Sequence, residues 1–262
     1  MQKTSQPQKK TPDNGALLVS GSPVGVSPDL LHDLAAAAEF ILALDSGGDQ
    51  LAAAGLLPDL LLGDLDSLSQ NTLTYFEKND VPVQAFDSYK NATDLELGIE
   101  ELSARGYQRI VATNIAGGRT DHMLGSLGAL AHAAGEKGMQ VAYRDNREAC
   151  FFVSGAQNTE TKVLELEFQK GDLVAIESFE AGQVSKLQPP FFSLAAPAHI
   201  SLIAWGGPAT VSLRGTEWEL DHHTLSPSSA LAVSNVARCP KLRLEVHGTG
   251  TVLLLLTQQA RP

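Results

Sequence analysis

The chain has 262 residues, 43% hydrophobic and 19% charged, so it carries the apolar material for a packed core and is not a disordered polymer. Lys and Arg number 19 against 30 Asp and Glu, and the resulting net charge of −11 argues against general nucleic-acid or anionic-membrane binding. Its two cysteines, Cys150 and Cys239, make neither a disulfide framework nor a Cys-based zinc site. No apolar run is long enough to span a bilayer, and residues 1–14 lack the apolar core of a signal peptide, so the expectation is a soluble, cytoplasmic protein.

Residues 1–15 are polar and Lys/Gln/Pro-rich and read as a disordered tail. From there, short apolar runs alternate with segments of helical spacing. Strands are predicted at 16–20, 41–44, 60–62, 83–86, 109–115 and 139–144, and helices at 28–40, 50–54, 70–79, 94–104 and 121–134. Strands that are nearly continuous apolar runs and alternate with helices indicate a parallel sheet covered on both faces. After about Asp145 the helical period disappears. Short strands are predicted at 162–168, 173–178, 199–205, 210–213, 230–233, 242–247 and 251–257, separated by Gly, Pro and Ser, the texture of an antiparallel sandwich. The expected fold is therefore α/β, with a doubly wound, mainly parallel sheet domain over 16–146 and an all-β sandwich domain over 147–262.

Chemistry-bearing residues gather after the strands of the first half. The sequence Pro58-Asp59-Leu60-Leu61-Leu62-Gly63-Asp64-Leu65-Asp66-Ser67 runs an apolar strand straight into an Asp-x-Asp pair. Open α/β sheets bind ligands at that end of their strands. Two adjacent carboxylates repel unless protons or a cation compensate, and Mg²⁺ held by carboxylates and substrate phosphates does so. Taken alone, the pair reads first as solvated turn aspartates. In Lys90-Asn91-Ala92-Thr93-Asp94-Leu95-Glu96, Thr93 and Glu96 have the spacing of a helix capping box, and Asp94 suits the helix dipole. Lys90 gains nothing from that dipole and is a candidate phosphate contact. In Gly117-Gly118-Arg119-Thr120-Asp121-His122, the glycines let backbone approach a ligand at a helix N-terminus, and Arg119 offers a donor fork for phosphate. Asp121 reads as a metal or Arg partner or as a cap, and His122 alone as a structural hydrogen-bonder. A fourth acid with glycines, Asp45-Ser46-Gly47-Gly48, follows the second strand. Four such loops describe one rim suited to a metal–polyphosphate complex. No P-loop, dinucleotide fingerprint or G-x-S-x-G elbow occurs, and Asp221-His222-His223 reads as a surface loop.

The order D-x-G, P-D-x-x-x-G-D-x-D-S, K-x-x-T-D and G-G-R-x-D-H resembles the thiamine pyrophosphokinase family. The resemblance continues more thinly in Gly215-Thr216-Glu217-Trp218-Glu219-Leu220, similar to a G-L-K-[WY]-x-L strand, and in Val233-Ser234-Asn235, similar to I-S-N. It implies an α/β nucleotide domain plus a β-sandwich, transfer of the ATP diphosphate to thiamine with release of AMP, and a homodimer with the active site at the interface. By the same resemblance Asp64, Asp66 and Asp94 hold Mg²⁺ and, with Arg119 and Asp121, form the catalytic set. Asp45, Gly47, Lys90, Thr93, Gly118, Arg119 and His122 line the nucleotide, while Trp218, Ser234 and Asn235 contact thiamine. Asn91, Asp49, Thr216-Glu217 and Val236 depart from the family pattern, and the segment 169–197 is longer than usual. Two alternatives follow from those departures: another heterocyclic alcohol, such as a hydroxymethylpterin, as acceptor, or a catalytically silent homologue.

Overall fold

The structure is a computed structural model that describes residues 15–86, 92–155, 161–169, 172–180, 183–187 and 197–258; of 172, 174–180, 183–187, 197 and 198 it describes the backbone alone. The expected tail, residues 1–14, lies outside the described residues, whereas Gly15 is buried, with φ +80, and its carbonyl accepts from Glu39 N at 3.0 Å.

The first half alternates strand and helix: β1 (Ala16–Val19), α1 (Pro28–Ala37), β2 (Phe40–Leu44), α2 (Gly47–Ala53), β3 (Leu60–Gly63), α3 (Gln70–Lys78), β4 (Val83–Ala85), α4 (Asp94–Ala104), β5 (Arg109–Thr113), α5 (Thr120–Gly135) and β6 (Gln140–Arg144). These six strands are parallel, in the order β6-β5-β1-β2-β3-β4. The chain works outward from β1 to β4 and then crosses to the other side of β1, so the order reverses between β1 and β5. The apolar runs are continuous because both faces are covered. Leu17 and Val19 of β1 pack with Leu31, Leu34, Leu51 and Phe76 of α1, α2 and α3. Leu18, between them, faces Leu95, Ile99, Leu102 and Leu130 of α4 and α5.

Then follow β7 (Glu148–Ser154), β8 (Lys162–Gln169), β9 (Asp172–Glu180), β10 (Gln183–Leu187), β11 (Pro197–Trp205), β12 (Ala209–Arg214), β13 (Leu220–Leu225), β14 (Lys241–His247) and β15 (Thr251–Gln258). The change of texture near Asp145 is a change of pairing direction within one sheet. Strand β7 turns back antiparallel onto β6, and β15 and β11 extend the same sheet to nine strands. The other six strands form an antiparallel sheet, β10-β9-β8-β14-β12-β13. Its inner residues, among them Leu164, Leu166, Val211, Leu244 and Val246, share a core with Phe151, Val153, Val252 and Leu254 of the first sheet. The sandwich is thus this sheet laid against the antiparallel wing of the other.

Several segments differ from their sequence reading. Asp221-His222-His223 lies in β13, an edge strand paired with β12. Its residues are exposed, so no alternation betrays it, and only backbone pairing makes it a strand. Residues 230–233 form turns instead of a strand, with Leu231 63% and Val233 45% exposed. Residues 215–219 are irregular apart from an isolated bridge between Thr216 and Ala237. Helix α2 starts at Gly47, before its predicted beginning, and only glycine fits there, since a Cβ would lie 2.2 Å from the Val19 carbonyl oxygen. What reads as turn glycine is a close crossing of helix and strand.

Candidate active site

A cleft of about 540 Å³ opens at the carboxyl edge of the parallel strands, beside the point where the strand order reverses. Open α/β sheets place ligand sites there. Five chain segments meet in it: Ser20 and Gly21 after β1, Asp45 and Ser46 after β2, Asp64, Asp66 and Ser67 after β3, Thr93 and Asp94 at the start of α4, and Asp121, His122, Gly125 and Ser126 on α5.

Asp45 is buried to 9% exposure with φ +43, and its Oδ1 accepts from Leu65 N at 3.1 Å. Its carboxyl fills the space where a side chain on the next loop would stand: a Cβ on Gly63 would lie 1.7 Å from Asp45 Oδ1. Burial, then a hydrogen bond with Asp94 and charge repulsion from it, push its pKa up to about 7, so below neutrality Asp45 favours its protonated form. Asp64 Oδ1 accepts from Asp66 N at 3.2 Å. The side-chain hydrogen bond that protonated Asp66 makes to Asp64, and then the charge of Asp64, raise the Asp66 carboxyl above its ordinary value. The loop carrying this pair is tied down by Asp49, which accepts from Ser69 N at 3.2 Å and from Ser69 Oγ at 2.6 Å. At α4, Thr93 and Glu96 form a complete capping box, which leaves Asp94 facing the cleft.

Of the residues expected at the nucleotide, Asp45, Thr93 and His122 line this cleft with Asp64, Asp66, Asp94 and Asp121. Gly47 and Gly118 do not. Gly47 is the helix–strand crossing, and Gly118 backs onto Pro23, whose Cδ would lie 3.1 Å from a Cβ there. Arg119 is not in the lining. Its guanidinium pairs with Asp121 at 2.5 Å, 73% exposed, and holds the Asp121 carboxyl below its ordinary value. Lys90 and Asn91 lie outside the described residues. Ser20, Gly21, Gly125 and Ser126 were not anticipated. The Gly21 turn gave the signal for the first two, being another glycine just past a strand, and a glycine inside a helix gave it for Gly125.

Trp218, Ser234 and Asn235 lie elsewhere, around a separate hollow of about 450 Å³ with Leu220, Leu231 and Val233. Trp218 is 63% exposed there and is not a core tryptophan. Ser234 takes φ +64, a strained conformation for a residue with a side chain. Asn235 is buried, 3% exposed.

Two family descriptions match the chain: thiamin pyrophosphokinase, catalytic domain, over residues 31–143, and thiamin pyrophosphokinase, vitamin B1 binding domain, over residues 194–246. Together they take in well over half of the sequence and both of its parts. The chain belongs to the thiamin pyrophosphokinase family. Thiamine pyrophosphokinase of Bacillus subtilis (strain 168) is 30% identical over 115 residues, which are 42% of this chain and 51% of the relative, so the match spans about half the length of that relative. The fold is that of the crystal structure of thiamine pyrophosphokinase from Bacillus subtilis, with TM-score 0.72 and 19% identity over 94% of this chain and 99% of the other. The yeast thiamin pyrophosphokinase structure is similar too, with TM-score 0.70 and 14% identity over 95% and 88% of the two chains. Among the described residues, no helix is long and apolar enough to cross a membrane.

The raised Asp45 pKa has a measurable consequence. Between the ordinary value of 3.8 and about 7, the folded chain keeps a proton that the unfolded chain has released. Stability therefore falls as pH rises through that window and levels off above it. Asp45→Asn removes this contribution. In melting curves taken with a chelator from about pH 4 to about pH 8, the variant should gain on the parent as pH rises; parallel curves would contradict the assignment.

Proposed function

We propose that this chain is a thiamine diphosphokinase that transfers the diphosphate of ATP to the hydroxyl of thiamine, giving thiamine diphosphate and AMP. The observation that carries the reading is the cleft itself, where Asp45, Asp64, Asp66, Asp94 and Asp121 converge from four strand ends and helix starts in a chain of this family. In the reaction, the thiamine hydroxyl oxygen bonds the β-phosphorus. The bond from that phosphorus to the oxygen bridging it to the α-phosphate breaks, AMP leaves with the bridging oxygen, and the hydroxyl proton is released. Such transfers depend on positioning and charge neutralisation.

A divalent cation, Mg²⁺, suits the donor set. Asp64 and Asp66 are close enough to raise Asp66, a repulsion that a cation relieves. Among the described residues no three acids or imidazoles form a ready-made cage. That agrees with Mg²⁺ bound by one or two carboxylates and completed by substrate phosphates and water. Asp64, Asp66 and Asp94 would hold it, and bound there it would draw charge from the phosphate oxygens. Asp45, behind Asp94, fixes the loop that presents Asp64 and Asp66. Asp121, which lines the cleft, and Arg119, which pairs with it, would meet the polyphosphate on this reading.

The acceptor belongs to the second hollow. Trp218 offers an exposed indole face to thiamine's cationic ring, walled by Leu231 and Val233. Because the acid cleft and this hollow are distinct in one chain, the complete site is formed between two copies, a homodimer. ATP and thiamine as substrates, no nucleic-acid or membrane partner, and a cytoplasmic location complete the reading.

Asp64→Asn and Asp66→Asn should each lower AMP and thiamine diphosphate production by about 100-fold or more at saturating Mg²⁺, with an unchanged circular dichroism spectrum. Normal turnover in either variant would remove the cation-site reading. Trp218→Ala should raise the KM for thiamine roughly two- to thirty-fold, the range expected for losing a cation–π contact, and leave the KM for ATP and the melting temperature nearly unchanged. A large loss of stability with an unaltered thiamine KM would refute the stacking role. Mixing the inactive Asp64→Asn protein with the weakly thiamine-binding Trp218→Ala protein should restore turnover at low thiamine through mixed dimers, whereas a fully active monomer in ultracentrifugation would contradict the composite site.

A further inference from the structure

The Asn235 side chain has no bonding capacity left for a ligand. Its Oδ1 accepts from Trp218 N at 3.1 Å and from Val236 N at 2.9 Å. Its Nδ2 donates to Thr216 Oγ1 at 3.1 Å and to the Trp218 carbonyl at 2.6 Å. A carboxamide has two N–H donors and two lone pairs on oxygen, and all four are used inside the protein. Both backbone polar groups of Trp218 are therefore satisfied by one side chain, in a segment with little ladder pairing. Around it, Glu217 N donates to the Val236 carbonyl at 2.9 Å and Thr216 Oγ1 to the Trp218 carbonyl at 3.1 Å. Asn235 is itself fixed from the opposite side, exchanging backbone hydrogen bonds of 2.9 and 2.7 Å with Ile200 of β11. One residue thus ties the nine-stranded sheet to the segment that enters β13, the edge of the other sheet.

We propose that Asn235 is a positioning residue: it sets the conformation of residues 216–218 so that the Trp218 indole stands over the hollow, and it affects acceptor binding only through Trp218. The proposal rests on reading that hollow as the acceptor site, and its chemistry explains why an amide is needed. Aspartate has the same shape but donates nothing, and it would set a negative charge against the Trp218 carbonyl. Alanine leaves the Trp218 N–H and carbonyl without their partners.

The test has one arm without substrate and one with it. The chain has two tryptophans, so in a Trp205→Phe background Trp218 is the sole indole emitter. In that background Asn235→Ala and Asn235→Asp should each shift the Trp218 emission and change its quenching by acrylamide. The Asp variant keeps the shape of the residue and serves where the Ala variant fails to fold. In the parent background both should raise the KM for thiamine about tenfold while leaving the KM for ATP unchanged. Combined with Trp218→Ala, Asn235→Ala should add no further rise in the thiamine KM, the non-additivity of two groups acting as one. An unchanged Trp218 signal with a raised thiamine KM would mean direct ligand contact and overturn the proposal. So would an equal further loss in the Trp218→Ala background. If the parent protein makes no thiamine diphosphate at all, the proposed function falls, while the emission and quenching data still decide whether Asn235 sets Trp218.

Discussion

The contact on which the carboxyl edge depends is that of Asp45 with the backbone after β3. Its carboxyl sits where a side chain on Gly63 would be and accepts from Leu65 N, so two neighbouring strand ends are locked by one short side chain. The same kind of approach recurs along the edge. Gly21 leaves room for Ser46, whose Oγ would lie 2.2 Å from a Cβ there, and Gly47 lets α2 cross the end of β1. Strand ends packed this tightly leave little freedom to the loops, and the acids those loops carry are held before any ligand arrives. Backbone strain accompanies this packing: Asp45 and Leu65 have φ of +43 and +63, conformations that bulky residues avoid.

The second dependence is topological. Because β7, β15 and β11 extend the parallel sheet, the antiparallel half is anchored through backbone hydrogen bonds to the element that carries the acids. The core follows, since Leu164 and Val211 of one sheet belong to the same buried cluster as Val111 and Ala142 of the other. The two clefts are thus fixed relative to each other within one chain but do not merge. Among the described residues, the acid cleft holds no Phe, Tyr or Trp, whereas the other hollow is largely apolar and carries an exposed indole, so the two hollows differ in chemistry within one chain.

How much of this was legible follows from which interactions are local. The parallel strands and their helices were readable because apolar runs, helical spacing and the Thr93–Glu96 capping box are properties of contiguous sequence. The convergence of Asp45, Asp64, Asp66 and Asp94 was also readable, since each acid follows a strand of one sheet. Partner choice was not. Nothing local to residues 148–154 says that β7 pairs with β6 instead of starting a separate sheet. Nor does anything in Asp221-His222-His223 mark an edge strand, because its pairing with β12 is made by backbone. Residues 230–233 have strand-like composition but spend their apolar side chains on a hollow. The Asn235 motif drew attention to the right residue through family resemblance, yet the resemblance implied a ligand contact where the structure shows a fully engaged amide.

Asp45, Asp49 and Asn235 use one device, a short polar side chain that binds the backbone or side chains of a neighbouring loop in place of a ladder. Their chemistry separates them by site. Asn235 carries donors and acceptors without charge, so it can be buried at 3% exposure with every bond satisfied, beside a hollow walled by Trp218, Leu231 and Val233. Asp49 stays near solvent and needs only acceptors for Ser69. Asp45 is buried and has acceptors only; beside Asp94 it satisfies both constraints by keeping a proton. The neutral anchor therefore fits the hollow beside Trp218, and the ionisable one fits the cleft where Asp64, Asp66 and Asp94 gather, because a neighbouring carboxylate there favours the protonated form.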